Sequence, residues 1–398
     1  MRLLIVSHSC TTPINQQVYA KLRELTGWDL TFCLPRSWKD EFGNTLHPAL
    51  WPGLEAELIP IPVWPNGNII LHAYQGGLKR VLGRREFDAI YVNHEPYAVA
   101  TAQFCWANRR FGRVPFGFYS CQNILKNYPP PFSWAERAVY RSSRFAFPIT
   151  EAVATVLRGK GYHGNLAVCP LPFDPKIYRP LQADDIPGEL KKQPGEILIG
   201  YVGRIVEAKG LRTLVTALTH LPSTGWRLVL IGSGPFEKEL EELIRRNRLQ
   251  ERVQWLGFVP HERTPKFLAG LDLLVLPSET QPNWKEQFGR VLIEALACGI
   301  PVVGSDSGEI PNIISASGGG SIFPERDTNA LATKLQEMLI SERLREQYAH
   351  AGRAWALKFA SLSAVAQKMA KTIEKAVDES RLSKHSSPGS SVLDPKPS

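Results

Sequence analysis

A polar loop passes into a helix at residues 286–294, Glu286-Gln287-Phe288-Gly289-Arg290-Val291-Leu292-Ile293-Glu294. The apolar run 273–276 precedes this loop and apolar side chains at helical spacing follow it, so we expect a strand, a loop and a helix. The first helical turn has unpaired backbone N–H groups at residues 289–291, which favour a phosphate group. Glu286 precedes that position and can reach sugar hydroxyls, whereas Glu294 follows it and can accept the hydroxyls of a ribose. This spacing suits a nucleotide sugar.

Short apolar runs alternate with helical stretches along the chain. They span residues 3–6, 30–34, 89–92, 116–119 and 145–149 in the first half, and 197–202, 228–231, 253–256, 273–276 and 301–303 in the second. Parallel neighbouring strands need long crossovers, so this rhythm is typical of an α/β protein. It predicts two doubly wound, Rossmann-like domains, with the carboxyl ends of their strands facing a cleft.

The length of 398 residues is too great for one ordinary core. A proline-dense stretch at 170–188 resists regular structure and separates the two halves. We therefore predict an N-terminal domain at residues 1–170, a linker at 171–196, a C-terminal domain at 197–362, a helix at 363–382 and a disordered tail at 383–398. A return of that helix to the N-terminal domain is left open.

The net charge of +9 admits nucleic acid, an anionic membrane or an anionic substrate as a partner. We expect no nucleic acid, because no binding motif accompanies the charge. The clusters Lys79-Arg80 and Arg84-Arg85 fit solvated helix faces or peripheral contact with an anionic membrane.

The six cysteines have no paired spacing, which argues against a zinc or disulfide framework and for a reducing compartment. The first apolar run is too short for a signal peptide or a membrane span. The expected location is cytoplasmic, with the inner face of the membrane as an alternative.

A second loop supplies positive charge. Gly203-Arg204 follows the strand 197–202, and Lys209-Gly210 precedes a helix. Glycine lets the backbone approach a ligand, and the two cations can stabilise a departing nucleoside diphosphate. Taken alone, this motif fits a turn glycine and an exposed lysine equally well.

The order of motifs over residues 197–325 resembles the C-terminal half of family 4 glycosyltransferases (glycosyl transferases group 1), which have the GT-B fold. The motifs are Gly203-Arg204 with Lys209-Gly210, then residues 229–235, 255–260, 274–278, 286–294 and 297–305. The resemblance implies that Glu286 contacts the donor sugar, that Glu294 holds the ribose, and that Arg204 and Lys209 bind the diphosphate. It places Gly232-Ser233-Gly234 and the backbone of Val259 beside the nucleoside. The remaining expected nucleotide-sugar contacts are Gly203, Gly289, Arg290 and Val291.

The amino-terminal half departs from that family. Ser7-His8-Ser9-Cys10 follows the first strand without the glycines that many relatives carry. Ser120-Cys121-Gln122-Asn123 stands where many have a histidine. Gln122 and Asn123 can bond sugar or acceptor hydroxyls, but amides are not bases at neutral pH.

His94-Glu95 is the other candidate on the acceptor side. The pair follows the run 89–92, at an expected carboxyl edge, and histidine suits proton transfer near neutrality. A helix start with Glu95 as its N-terminal acid explains the pair equally well.

We therefore predict a metal-independent hexosyltransferase, and the resemblance implies that it retains the anomeric configuration. It would move a hexose-type sugar from a nucleoside-diphosphate sugar to a carbohydrate or lipid-linked acceptor, with no metal and no cofactor besides the donor substrate. The chain contains no Asp-x-Asp triplet, which agrees with a metal-free donor site. A GT-B nucleotide-sugar epimerase remains an alternative. A non-catalytic sugar-nucleotide-binding or membrane-associated assembly protein is another, suggested by the missing amino-terminal glycines and histidine.

Overall fold

The computed structural model describes residues 1–40, 43–83 and 86–385, and the chain divides into two compact units. Unit 1 comprises Met1–Cys169 and the described residues from Ala366 onward, and unit 2 comprises Pro170–Val365. The stretch 171–196 thus belongs to unit 2, with short 3-10 turns at Ala183–Asp185 and Gly188–Leu190. Arg84, Arg85 and residues 386–398 of the predicted tail lie outside the described residues. The tail prediction is wrong for residues 383–385, which continue the last helix.

Unit 1 is built around a parallel sheet. Its strands are β1 Arg2–Val6, β2 Asp29–Pro35, β3 Trp38–Lys39, β4 Thr45–Leu46, β5 Glu57–Ile61, β6 Val63–Trp64, β7 Ala73–Tyr74, β8 Ala89–Val92, β9 Phe116–Ser120, β10 Phe145–Pro148 and β11 Asn165–Leu166. Its helices are α1 Gln17–Thr26, α2 Leu78–Gly83, α3 Val99–Ala107, α4 Phe132–Ser142 and α5 Glu151–Gly159. The strand order is β11-β10-β9-β8-β1-β2-β5, and β3-β4 and β6-β7 form small antiparallel pairs.

The central strands of unit 1 are apolar because helices cover both faces of a parallel sheet. All four residues of β8 are buried, as are Leu3 to Val6 of β1. In the register, Val6 of β1 lies beside Val92 of β8. The loops after these two strands therefore lie side by side at the carboxyl edge, and they carry His8 and His94.

Unit 2 contains a second parallel sheet. Its strands are β12 Ile197–Val202, β13 Trp226–Ile231, β14 Val253–Gly257, β15 Leu273–Leu276, β16 Val302–Ser305 and β17 Gly320–Phe323. Its helices are α6 Leu211–Leu218, α7 Glu237–Arg246, α8 Thr264–Ala269, α9 Arg290–Ala297, α10 Ile310–Ser317, α11 Thr328–Ile340 and α12 Glu342–Ala360. The last helix, α13 Leu362–His385, begins in unit 2 and belongs to unit 1 from Ala366.

The strand order in unit 2 is β14-β13-β12-β15-β16-β17. The chain leaves β12 for β13 on one side and later returns to β15 on the other, so the direction of winding changes between β12 and β15. Loops diverge at such a point and leave room for a ligand at the carboxyl ends of the strands. The two parallel sheets with their helices confirm the predicted α/β, doubly wound fold. No helix in the described part of the chain is long and apolar enough to cross a membrane.

Candidate active site

Glu286 and Lys209 meet at the carboxyl edge of unit 2. Glu286 lies on the loop between β15 and α9, and Lys209 lies on the loop between β12 and α6, so each flanks the point where the winding changes. The Lys209 Nζ to Glu286 Oε2 distance is 2.5 Å, and Ser278 Oγ donates to the same oxygen at 2.8 Å. Lys209 Nζ also lies 5.1 Å from the centroid of the Trp284 ring. Since an ammonium has three N–H donors, Lys209 retains donors for an anion beside this pair.

Gly308 fixes the backbone of Glu286. Its φ is +59°, and a Cβ there would lie 2.0 Å from the carbonyl oxygen of Glu286. The next residue, Glu309, donates its backbone N–H to that carbonyl at 3.1 Å. The loop after β16 therefore holds Glu286, and this role of Gly308 was not predicted from the sequence.

Glu294 is held from two sides inside unit 2. It is 7% exposed, and its Oε1 accepts hydrogen bonds from Arg290 Nε at 2.8 Å and from Tyr178 Oη at 3.0 Å. Burial, with the adjacent Glu294 carboxylate, raises the pKa of Tyr178, which keeps its hydroxyl a donor. Among the described residues Oε2 has no hydrogen-bond partner, so it is available to a ligand. Tyr178 comes from the stretch interpreted as a linker, and its role was missed.

Two neighbouring loops join around Arg204. The backbone N–H of Gly203 donates to Ile231 O at 3.0 Å, and that of Ile205 donates to Ser233 O at 2.9 Å. These bonds tie the loop after β12 to the loop Gly232-Ser233-Gly234 after β13. The Arg204 side chain between them is exposed, so its guanidinium can reach an anion.

The remaining predicted nucleotide contacts lie along the same edge. Gly289 precedes α9 in the left-handed conformation, and residues 289–291 form the start of that helix. Val259 follows β14 and is half-buried. Gly257 of β14 accepts the backbone N–H of Gly232 at 2.7 Å, which links the nucleoside-side loops. The structure thus brings Arg204, Lys209, both acids and the helix start to the carboxyl edge of one sheet.

Gly232 provides a test of how tightly these loops pack. Its φ is +135°, and a Cβ would lie 1.9 Å from Gly203 O. We expect Gly232→Ala to lower the free energy of unfolding by at least about 2 kcal/mol, because backbone strain and a collision add. Gly225→Ala is the control, since Gly225 has φ +88° but open space around its Cβ. Urea unfolding measures the free energy of unfolding of both variants. An equal loss of stability in the two would contradict tight packing around Gly232.

Glu95 is the acid among the acceptor-side candidates of unit 1, and its side chain accepts several hydrogen bonds. Ser120 Oγ donates to its Oε2 at 2.8 Å, and the backbone N–H and Sγ of Cys121 approach its Oε1 at 2.7 and 3.0 Å. Burial raises the pKa of Glu95, and the hydrogen bonds from Cys121 and Ser120 oppose that rise. A carboxyl group with a raised pKa at a strand end suits proton transfer.

The alternative in which Glu95 opens a helix is wrong. Helix α3 begins at Val99 after Ala98, and its first turn contains no acid. Glu95 instead bridges the loops that follow β8 and β9.

The other acceptor-side candidates also lie after β8 and β9. Gln122 is half-buried, with its Nε2 3.3 Å from Tyr128 Oη and its Oε1 accepting the backbone N–H of Ile124. Asn123 is 3% exposed. His94 is 2% exposed, and its Nδ1 lies 3.0 Å from Nδ1 of His8. Burial, with His8 and His72 nearby, holds the pKa of His94 well below its usual value. Its place beside His8 and His72 was not foreseen from the sequence, where the three lie far apart.

The chain is similar to known proteins in sequence and in fold. The family model "Glycosyl transferases group 1" matches residues 182–355. The putative colanic acid biosynthesis glycosyltransferase WcaL of Escherichia coli K12 is 30% identical over 276 residues, 67% of this chain and 64% of that protein. The amylovoran biosynthesis glycosyltransferase AmsK of Erwinia amylovora is 36% identical over 146 residues, 36% of this chain and 35% of that one. The chain therefore spans less than two thirds of these relatives.

Solved structures match over a longer range. The Anabaena protein HepE in complex with UDP has a TM-score of 0.71 at 20% identity, covering 94% of this chain and 100% of its own. Sucrose-phosphate synthase of Thermosynechococcus elongatus has a TM-score of 0.69 at 19% identity, covering 95% and 100%. Residues 182–355 match the glycosyl transferases group 1 family, and the chain has the GT-B fold of these structural neighbours.

Proposed function

We propose that this protein is a glycosyltransferase that moves a hexose-type sugar from a nucleoside-diphosphate sugar to a carbohydrate or lipid-linked acceptor. The observation that carries the proposal is the contact between Lys209 and Glu286, 77 positions apart in sequence, beside the start of α9. A buried acid paired with a cation at a helix start fits a site that binds a diphosphate and a hydroxyl-rich ring together. The names of the relatives support the same class of reaction.

The proposed chemistry rests on charge stabilisation. When the bond between the sugar and the diphosphate breaks, negative charge grows on the leaving oxygens. Arg204, Lys209 and the N–H groups at residues 289–291 would stabilise that charge, and we propose that no metal takes part there. Glu286 would orient Lys209 and accept a hydrogen bond from the donor sugar.

We expect the configuration at the anomeric carbon to be retained. In the proposed step the acceptor oxygen bonds to that carbon on the face from which the diphosphate departs, and a leaving phosphate oxygen takes the acceptor proton. Proton NMR of the transfer product measures the configuration, which is fixed once the glycosidic bond has formed. An inverted product would contradict the step.

The acceptor is proposed to bind unit 1 at the carboxyl edge that holds Glu95, Gln122 and Asn123. Hydroxyl-rich acceptors suit these groups, because a carboxylate accepts hydrogen bonds and the amides both donate and accept them. Nucleic acid is not proposed as a partner.

We also propose a cytoplasmic location with peripheral contact to an anionic membrane. The segment 64–71 of unit 1 exposes Trp64, Ile69, Ile70 and Leu71 by 72, 55, 44 and 43%, and Lys79 and Arg80 of α2 are also exposed. Exposed apolar side chains together with exposed cations suit an anionic lipid surface. Sedimentation with anionic vesicles should capture the wild-type chain and capture Ile70→Asp less. Equal capture of both, or none of either, would contradict this proposal.

Release of nucleoside diphosphate tests the enzymatic proposal. The full chain is incubated with UDP-, GDP- and ADP-hexoses, with and without oligosaccharide acceptors, and both free diphosphate and product are measured. We expect one donor to be consumed in step with acceptor glycosylation. Conversion of the donor to an epimeric sugar nucleotide without acceptor would contradict transfer and favour the epimerase. Tight donor binding with neither transfer nor hydrolysis would favour the non-catalytic alternative.

A further inference from the structure

Three histidines from distant parts of the sequence meet in unit 1. His8 follows β1, His94 follows β8 and His72 directly precedes β7. One ring nitrogen from each can be chosen so that all three atoms lie within 4.8 Å of one another. His72 and His94 are 0 and 2% exposed, and His8 is half-buried.

Hydrogen bonds within the protein do not satisfy this cluster. His72 Nδ1 lies 2.9 Å from the backbone carbonyl of Asn68, which only accepts, so Nδ1 carries the proton and Nε2 has a free lone pair. Among the described residues, the buried Nε2 atoms of His72 and His94 have no hydrogen-bond partner. An unmet polar atom in the interior costs free energy, and two in one cluster indicate an absent ligand.

The contact between His8 and His94 does not satisfy all the polar atoms of His94. Their Nδ1 atoms are 3.0 Å apart, so one must donate and the other accept. If His94 donates, its Nε2 is a buried bare acceptor, and if it accepts, its Nε2–H is a buried orphan donor. Both arrangements leave one polar atom of His94 unpaired.

The His72 ring already has the hydrogen bond that metal-bound histidines use. Metal-bound histidines commonly donate their second ring N–H to a backbone carbonyl, as His72 does to Asn68.

We propose that His8, His72 and His94 bind one divalent transition-metal ion of the zinc type. Calcium and magnesium prefer oxygen ligands, whereas an all-imidazole set suits zinc. Two nitrogens on one tetrahedral zinc lie roughly 3.3 Å apart, and one ring nitrogen of each histidine lies within 4.8 Å of the other two. Small ring rotations would bring the Nε2 atoms of His72 and His94 and one nitrogen of His8 to the ion, and water would take the fourth position.

The ion would link the segment before β7 to the loops after β1 and β8, at the carboxyl edge of the unit 1 sheet. This proposal departs from the metal-free chain expected from the sequence. It concerns unit 1 alone and does not depend on the proposed transfer reaction, because its test measures binding.

Zinc titration of the full, untagged chain after EDTA treatment and dialysis tests the site. We expect calorimetry to give one ion per chain and the melting temperature to rise by several degrees. His72→Phe and His94→Phe should each weaken binding by at least about 100-fold, because each removes a metal ligand. Phenylalanine suits the aromatic surroundings, in which Trp38 lies 5.0 Å from His72 between ring centroids. His163→Phe, at an exposed position of the same unit, should bind zinc as the wild type does.

X-ray absorption of the zinc-loaded wild type identifies the ligands of the ion directly, so the test does not depend on the folding of either variant. We expect three imidazole nitrogens around the ion. Failure of the wild type to bind zinc, a shell without three imidazoles, or unchanged affinity in both folded variants would overturn the proposal.

Discussion

Glu286→Ala is expected to lower the rate of sugar transfer by at least about 100-fold, the usual effect of removing a group that acts in the transition state. The change removes a buried acid that pairs with Lys209 at 2.5 Å and accepts a hydrogen bond from Ser278 at 2.8 Å. Lys209 would lose its orientation, and the donor sugar would lose an acceptor. Nucleotide affinity should change much less, because α9 and Glu294 remain.

Glu279→Ala is the matched control for that experiment. Glu279 lies on the same loop and accepts a hydrogen bond from Thr213 Oγ1 at 2.8 Å, but it makes its ion pair with Arg326. We expect its transfer rate to stay within a few-fold of the wild type. The role of Glu286 would be refuted by a folded Glu286→Ala protein with wild-type turnover.

Glu294→Ala is expected to raise the dissociation constant for the nucleoside diphosphate by about 10- to 100-fold, because hydrogen bonds to a charged acceptor are lost. The carboxylate is buried, and Tyr178 and Arg290 both bond its Oε1, so Oε2 can accept a ribose hydroxyl. Calorimetric titration measures the change in affinity.

Tyr178→Phe tests how much the hydrogen bond from Tyr178 to the Glu294 carboxylate contributes to nucleotide binding. It removes one hydrogen bond to Glu294 but leaves the acid and Arg290 in place. We expect a loss of affinity of only a few-fold. If Glu294→Ala bound the nucleotide as tightly as the wild type, the ribose role would be wrong.

The central strands were predictable because a parallel strand buried on both faces is a continuous apolar run. The runs 89–92, 197–202 and 273–276 form strands with those same bounds. Edge strands were missed. β5 Glu57–Ile61 contains Glu57 and Pro60 and lies at the end of its sheet, where proline is tolerated and burial is incomplete.

Part of the candidate donor site was predictable from the residues that follow the apolar strands. Arg204, Lys209 and Glu286 follow recognisable strands, and the carboxyl ends of parallel strands share one edge. Tyr178 and Gly308 were missed because their contacts with Glu294 and Glu286 depend on how distant loops pack. The spacing of residues in the sequence does not predict such packing.

The histidine cluster of unit 1 was missed for the same reason. His8 and His94 become neighbours only through the register that puts Val6 beside Val92. His72 joins them through the segment before β7, which has no long apolar run. A search for metal ligands at short spacing therefore could not find the three together.

The central claim is that the carboxyl edge of unit 2 holds the diphosphate of the donor. A crystal structure of the full chain with the nucleoside diphosphate that most raises its melting temperature, among UDP, GDP and ADP, tests it most directly. We predict diphosphate oxygens about 2.7–3.2 Å from the backbone N–H groups of residues 289–291, with Arg204 and Lys209 beside them and the ribose hydroxyls on Glu294. A diphosphate bound to unit 1, or to unit 2 away from α9 and both cations, would contradict the account.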